Sequence, residues 1–540
     1  MRRLHVFRMI GLALVVGLAL GWSCPAQAQN ALVRVKSVDS LLESAKYLAK
    51  MAGQEAQADQ LEGLLHLVTG GKGLAGVDRS RPAGIFANLT AGGGQPIIVF
   101  VPVSDPDKLL DLLRSLNVKV EGSGDTLIEL KPQKGDTSYL RFEKDYAFAS
   151  PRLDLLQGEL PDLSRFAPLP NDGTLVNAQL DIRQLPYEFR QLGLAALRKQ
   201  ALDQLEKDSS RKLGESDAAH RGRLAASRYF TERGLRLLEE LHGLTATLKV
   251  DSKSHLATLE VGLEVNPKSE VGRSIEQFAQ SKSVFAAFGQ EAGLHGLFSV
   301  PVAIELQSLL RTGFRDETQK ALDKESDPRK RELGARLQNV LDRALFPDRY
   351  DIASAIRGPF DDGQFVILFG MRVPSAKELE AVLIDVAKEF APPADQATIE
   401  LGHGRHGPTA IHRIRFPESR DGTAERLYGA AELFLAYRDE IVLAAFGQRG
   451  GEVLPRVLDD LERPADPDSS PIQLDVRLSR VGPLAVDDAG RRFRDAVAEY
   501  SRDNPDRDRI RLSLTGGSAL KLRLELDTHL LQLVSKLKPN

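Results

Sequence analysis

Hydrophobic and polar positions alternate without a fault through Leu520-Lys521-Leu522-Arg523-Leu524-Glu525-Leu526, and again through Leu259-Glu260-Val261-Gly262-Leu263-Glu264-Val265. Successive side chains of a strand point to opposite faces, so each stretch predicts a strand with one buried and one wet face. Ile97 to Val101 and Phe365 to Phe369 are apolar at every position, and Tyr146 to Ala149 and Ile441 to Phe446 are similar. Such runs predict strands covered on both faces, by helices or by a second sheet.

Helical patterns fill the intervals. Ser104-Asp105-Pro106-Asp107 places a capping side chain, a proline and early acids ahead of Leu109, Leu110 and Leu113, which predicts a helix start. Pro374-Ser375 stands in the same relation to Leu379, Val382 and Leu383. Longer helices are predicted from about Pro186 to Glu206 and from Arg221 to Leu241, joined by the charged segment Lys207 to Asp217. In the first of them Leu194, Leu197, Ala201 and Leu205 fall on one face. Two proline-rich breaks, Leu160 to Gly173 and Arg463 to Pro471, read as linkers.

These elements come twice. Ser40-Leu41-Leu42 recurs as Ser308-Leu309-Leu310, Gly94 to Phe100 as Gly363 to Phe369, and Ile128-Glu129-Leu130 as Ile399-Glu400-Leu401. Gln179-Leu180-Asp181-Ile182-Arg183 then recurs as Gln473-Leu474-Asp475-Val476-Arg477, and Ser254-His255-Leu256 as Ser518-Ala519-Leu520. The matches keep their order at a nearly constant offset, stretched once by a polar insertion around Pro417 to Glu425. Residues 30–280 and 290–538 therefore read as two copies of one design. The expected class is α+β, with mainly antiparallel sheets covered by amphipathic helices. Large and small units alternate, over 29–165, 172–282, 290–462 and 470–540.

Residues 1–28 read as a secretory signal. Arg2, Arg3 and Arg8 precede the apolar run Met9 to Trp22, and Ala26-Gln27-Ala28 offers a small-residue cleavage site. Cleavage there would remove Cys24, the single cysteine, leaving neither a disulfide nor a thiolate ligand. Lipid anchoring at Cys24 is disfavoured, because Gly21-Trp22-Ser23 lacks the usual leucine three places upstream. No later run reaches the length of a transmembrane helix. The expectation is a soluble periplasmic or extracellular protein. With 72 basic against 75 acidic residues, the charge balance argues against nucleic acid as a partner.

Candidate chemistry is sparse. His403, His406 and His412 lie close together around a glycine-rich turn, and imidazole nitrogens at such spacing are candidate metal ligands. Gly71-Lys72-Gly73-Leu74-Ala75-Gly76 and Gly402 to Gly407 match the glycine pattern of dinucleotide sites. Neither stands between a strand and a following helix, as pyrophosphate binding requires, so both read as turns. No nucleophile elbow, His-Glu-x-x-His pair or phosphate loop is present in the sequence, and no cofactor is implied. Asn88-Leu89-Thr90 fits a glycosylation acceptor by pattern only. Amphipathic helices over a curved sheet could also leave an apolar cleft for a lipid.

Four stretches carry a wider likeness: Asp78 to Gly84, Val101 to Leu110, Ser283-Val284-Phe285-Ala286-Ala287-Phe288, and the closing Leu522 to Leu526. Through them the chain resembles a large family of uncharacterised exported bacterial proteins with an internally duplicated α+β architecture. The resemblance implies export and the repeated layout, and it lends no catalytic residue. The function expected is that of an exported, non-catalytic binding or scaffold protein of the bacterial cell envelope. The alternatives are a carrier of a lipid or other apolar molecule, and a metal-dependent hydrolase built on His403, His406 and His412. The expected partner is an envelope protein or an apolar ligand.

Overall fold

The computed structural model describes residues 31–537 apart from 70, 88–96, 123–126, 134, 161–162, 164–168, 170–171, 213–214, 216, 290, 391, 394–395, 418–421, 464–468 and 487. The segment 1–28 read as a secretory signal, with Cys24, and the Asn88-Leu89-Thr90 pattern lie outside the described residues. Two compact units account for the chain, Met1–Leu197 with Leu241–Glu264, and Arg198–Glu240 with Val265–Asn540. No helix among the described residues is long and apolar enough to cross a membrane.

The first unit opens with β1 (Ala31–Val35), α1 (Val38–Met51), α2 (Glu55–Val68), β2 (Ala83–Ala87), β3 (Ile97–Pro102) and α3 (Pro106–Ser115). It continues through β4 (Val118–Glu121), β5 (Ile128–Pro132), β6 (Ser138–Glu143), β7 (Tyr146–Ser150), α4 (Asp154–Gln157) and β8 (Thr174–Asp181). After the start of α5 (Tyr187–Lys207) come β9 (Leu241–Asp251) and β10 (Leu256–Val265). The strand order is β4-β5-β6-β7-β3-β2-β1-β8-β9-β10. Every pair whose register is described is antiparallel.

One face of this sheet carries Leu32, Phe86, Ile98, Phe100, Tyr146 and Phe148. The other packs Ile128, Leu130, Leu140 and Ala147 against Leu109, Leu110 and Leu112 of α3. That helix begins where the sequence places it. The Asp105 carboxylate accepts from the Lys108 N–H at 3.1 Å, and Pro106 holds the first turn. The glycine-rich stretch before it is a turn, and Gly76 (φ 82°) lies against the helix start. A Cβ there would sit 2.3 Å from the Leu109 backbone nitrogen, so only glycine fits.

The second unit holds the end of α5, then α6 (Asp217–Glu239), α7 (Glu270–Ala279), β11 (Ala292–Pro301), α8 (Ile304–Lys324), α9 (Pro328–Leu345), β12 (Arg349–Arg357), β13 (Val366–Arg372) and α10 (Ala376–Glu389). There follow β14 (Thr398–His406), β15 (Thr409–Arg415), α11 (Gly422–Tyr428), β16 (Glu432–Arg438), β17 (Ile441–Phe446) and α12 (Gly450–Asp460). The unit closes with β18 (Ile472–Arg477), α13 (Leu478–Val481), α14 (Asp488–Asp503), β19 (Arg509–Thr515), β20 (Ala519–Asp527) and α15 (Leu530–Lys536). Its strands follow the order β14-β15-β16-β17-β13-β12-β11-β18-β19-β20, antiparallel throughout. This is the first unit's order, strand for strand.

Four of the five sequence matches fall on corresponding elements. The fifth does not. Ile128-Glu129-Leu130 lies on β5, whereas Ile399-Glu400-Leu401 lies on β14, which occupies the place of β4. An apolar-acid-apolar triplet is common in half-exposed strands, and here it matched one strand out of step.

The main core of the second unit lies on one sheet face. Ala353, Ala355, Val366, Leu368, Leu443 and Ala445 pack there against Val453, Leu454, Val457 and Leu458 of α12, and against Phe285 and Phe288. Each fully buried leucine of this set is worth roughly 1.5–3 kcal/mol. The chain enters this core through Ser283, whose hydroxyl donates to Asp351 Oδ1 at 2.6 Å while the Val284 N–H donates to Oδ2 at 2.9 Å. Burial raises the Asp351 carboxyl above its ordinary value against these stabilising bonds. Phe285 then lies over Gly370, where a Cβ would stand 2.7 Å from its ring.

Candidate functional site

The opposite face of the second unit's sheet is also apolar, and much of it is open. The strand registers place Leu435, Ala444, Phe369, Ser354, Gly296, Leu474, Leu512 and Leu524 in one row across the sheet, from β16 to β20. A parallel row one step along carries Met371, Ile352, Phe298, Ile472, Leu514 and Leu522.

Among the described residues, helices pack on this face at its two ends. At one end Val340 and Ala344 of α9 and Leu379 and Val382 of α10 pack on Tyr437, Met371, Leu435 and Val442. At the other, Val497 and Tyr500 of α14 and Leu530 and Leu533 of α15 pack on Ile510 and Leu526. Between them Phe298, Phe369, Leu474, Leu512 and Leu522 stand 37–42% exposed. Phe365 to Phe369 was expected to be covered on both faces. Val366 and Leu368 are buried completely, but Ile367 and Phe369 are not. Likewise the leucines of β20, expected to form its buried face, leave Leu522 at 42% exposed.

The floor has a notch. Ser354 and Gly296 are small and directly opposite each other in the middle of the row, with Phe369 on one side and Leu474 on the other. At the ~4.8 Å spacing of neighbouring strands, the row from Phe369 to Leu524 spans roughly 24 Å. A surface of this kind can hold a flat or elongated apolar molecule by displacing water, with the Ser354 hydroxyl as a polar contact in the middle of the row.

The three histidines named from sequence sit on the hairpin of β14 and β15, and each has a carboxylate of its own. His403 Nδ1 meets Glu400 at 2.8 Å, and His406 Nε2 meets Asp459 of α12 at 2.7 Å. His412 lies against α10, where its Nε2 meets Glu380 at 3.0 Å. The Gly402 N–H donates to His412 Nδ1 at 3.2 Å, which assigns the ring hydrogen to Nε2 and leaves neither nitrogen free. His403 lies by Phe434 and His406 by Asp459 of α12, whereas His412 lies by Tyr437 and Glu380 of α10. Burial, and after it the nearby Glu380 carboxylate, pushes the Tyr437 hydroxyl up to about 12. Among the described residues no three of His, Cys, Asp and Glu converge where they could hold a metal ion.

Sequence reasoning missed the open floor because alternation shows which residues share a face, not whether another element covers it. The signal available was the β12–β13 pair. In β13 both phases are apolar, with Val366 and Leu368 in one and Ile367 and Phe369 in the other, and only the first is buried.

No family model, curated protein or solved structure matches this chain.

Proposed function

We propose that this chain is an exported, non-catalytic binding protein that takes an elongated apolar molecule, such as a lipid acyl chain, on the open sheet face of its second unit. The observation that carries this reading is the exposure of Phe298, Phe369, Leu474 and Leu512 on strands paired along both edges. Leaving such residues wet costs roughly 25 cal/mol for each Å² of apolar surface that a ligand would cover. A contiguous patch of this kind marks a binding surface rather than a defect of packing. The two helical packs that stop short of it give a trough with walls.

The export signal over 1–28, the likeness to duplicated exported bacterial proteins and the recurring strand order support an envelope protein built by internal duplication. Residues 30–280 and 290–538 are the two copies in this reading. Superposition of the two in an experimental structure tests the duplication.

The ligand is tested by a native mass spectrum of protein purified gently from its own cells. An adduct in the mass range of a lipid, released by organic solvent, is the expected result. A chain that carries no adduct and does not take up lipid from vesicles would overturn the carrier reading.

A further inference from the structure

A separate, charged cavity of about 520 Å³ opens on the other side of the same strands. Its wall is the face of β11, β18 and β19 that bears His295, Asp475, Arg509 and Arg511, together with the turn Ala286–Gly289 and Arg480 of α13. The volume suits a small organic molecule, and the lining is unlike that of a packed core.

The lining holds four guanidiniums, those of Arg477, Arg480, Arg509 and Arg511, and two carboxylates, Glu291 and Asp475; Arg477 is also 3.5 Å from Asp506. Asp475 is shared. Arg509 Nε lies 3.0 Å from both of its oxygens, and Arg511 Nε is 3.2 Å from one. A single carboxylate cannot occupy the five donors of each guanidinium, so donors remain facing the cavity. Arg480 is held by the backbone carbonyl of Glu291 rather than by a carboxylate, so its charge is not neutralised by that contact.

His295 is the second observation. It is 5% exposed and lines the cavity, and its Nε2 has no hydrogen-bond partner. The ring lies flat on Gly289, where a Cβ would be 2.1 Å from Nδ1. A buried polar atom without a partner costs about 1–3 kcal/mol, and this one belongs to a ring in the cavity wall. The ring is neutral near pH 7, since burial holds it down at about 4.

The first unit lacks this arrangement. Its Asp181 corresponds to Asp475 in the repeated Gln-Leu-Asp sequence, but it is bound by Arg183 two residues along its own chain. Its register partner on β9 is Gly243, where β19 presents Arg511. The arginine pair therefore belongs to the second unit and is not a requirement of the strand topology.

We infer that this cavity is a binding site for a small organic anion bearing a carboxylate or phosphate group, which Arg480 and the Arg509–Arg511 pair grip beside the His295 ring. The site does not depend on the apolar floor, because the two lie on opposite faces of β11, β18 and β19.

Calorimetric titration of the full chain with inorganic phosphate and with succinate tests it, alongside NMR of ring-labelled histidine. Saturable binding of at least one anion is expected, with movement of the His295 ring signals. Arg480→Gln should weaken binding tenfold or more, and Arg511→Lys, which keeps the charge but loses the fork, should also weaken it. Leu474→Glu with Leu512→Glu should leave it unchanged. Two results would each overturn the assignment: neither anion saturating, or binding equally tight in wild type and in whichever arginine variants fold.

Discussion

Leu474 and Leu512 face each other directly across β18 and β19, and they are 42% and 37% exposed although both strands are paired on both sides. Two leucines opposed in the interior of a sheet ordinarily anchor a covering layer. Here the cover stops at Ile510 and Leu526, two positions along. The exposed pair marks the middle of the trough, and the functional reading follows from it.

The two faces of β13 should respond differently to truncation. Leu368 is fully buried against α12 and its neighbours, so Leu368→Ala should cost about 2–5 kcal/mol. Phe369 is 41% exposed, and Phe369→Ala should cost about 1 kcal/mol or less. Urea unfolding of the two variants checks this, and equal losses would mean that the second face is covered after all.

Removing one member of a buried ion pair should be more damaging. Arg357 Nη2 donates to Asp460 Oδ2 at 2.8 Å, and both side chains are nearly excluded from water. Asp460→Ala leaves the Arg357 guanidinium buried without its carboxylate, at a cost of about 3–5 kcal/mol. Replacing both partners by apolar residues should recover most of that loss, and a double variant no better than the single one would contradict the argument.

Stability should also fall in acid through His295. Its folded value of about 4 lies below the ordinary 6.5, so between these the unfolded chain binds a proton that the folded protein refuses. The contribution is therefore intact above the ordinary value, declines as pH drops through this window, and reaches a loss of about 3 kcal/mol at the bottom of it. The unfolding midpoint of wild type should fall more steeply across the window than that of His295→Gln. Ring signals that titrate near 6.5 would contradict it.

Much of the architecture was legible before any coordinates. The Asp105-Pro106 start of α3, the helical pair joined near Lys207 to Asp217, and the repeated strand of Gln473 to Arg477 all reflect local rules of capping and periodicity. The binding surfaces were not legible. Asp475, Arg509 and Arg511 occupy alternate polar positions that in sequence look like an ordinary wet face. Only the pairing of β11, β18 and β19 makes them converge on His295. The histidine turn is the reverse case. His403, His406 and His412 are close in sequence, but they are drawn apart to three different carboxylates, those of Glu400, Asp459 and Glu380.

That separation has a measurable consequence. Dialysis against zinc followed by metal analysis should leave no stoichiometric ion bound at the hairpin, and alanine at His403, His406 and His412 together should not change the zinc content. Tightly held zinc that the triple variant loses would restore the metal site.

The trough itself is tested most directly by titrating a fluorescent long-chain fatty acid into wild type and into Leu474→Glu with Leu512→Glu. Both residues are partly exposed, so the double variant should keep its circular dichroism spectrum and unfold near the wild-type midpoint. Saturable binding by wild type, weakened tenfold or more by the two glutamates, is the result expected. No saturable binding by wild type, or binding of equal affinity by a folded double variant, would contradict the account.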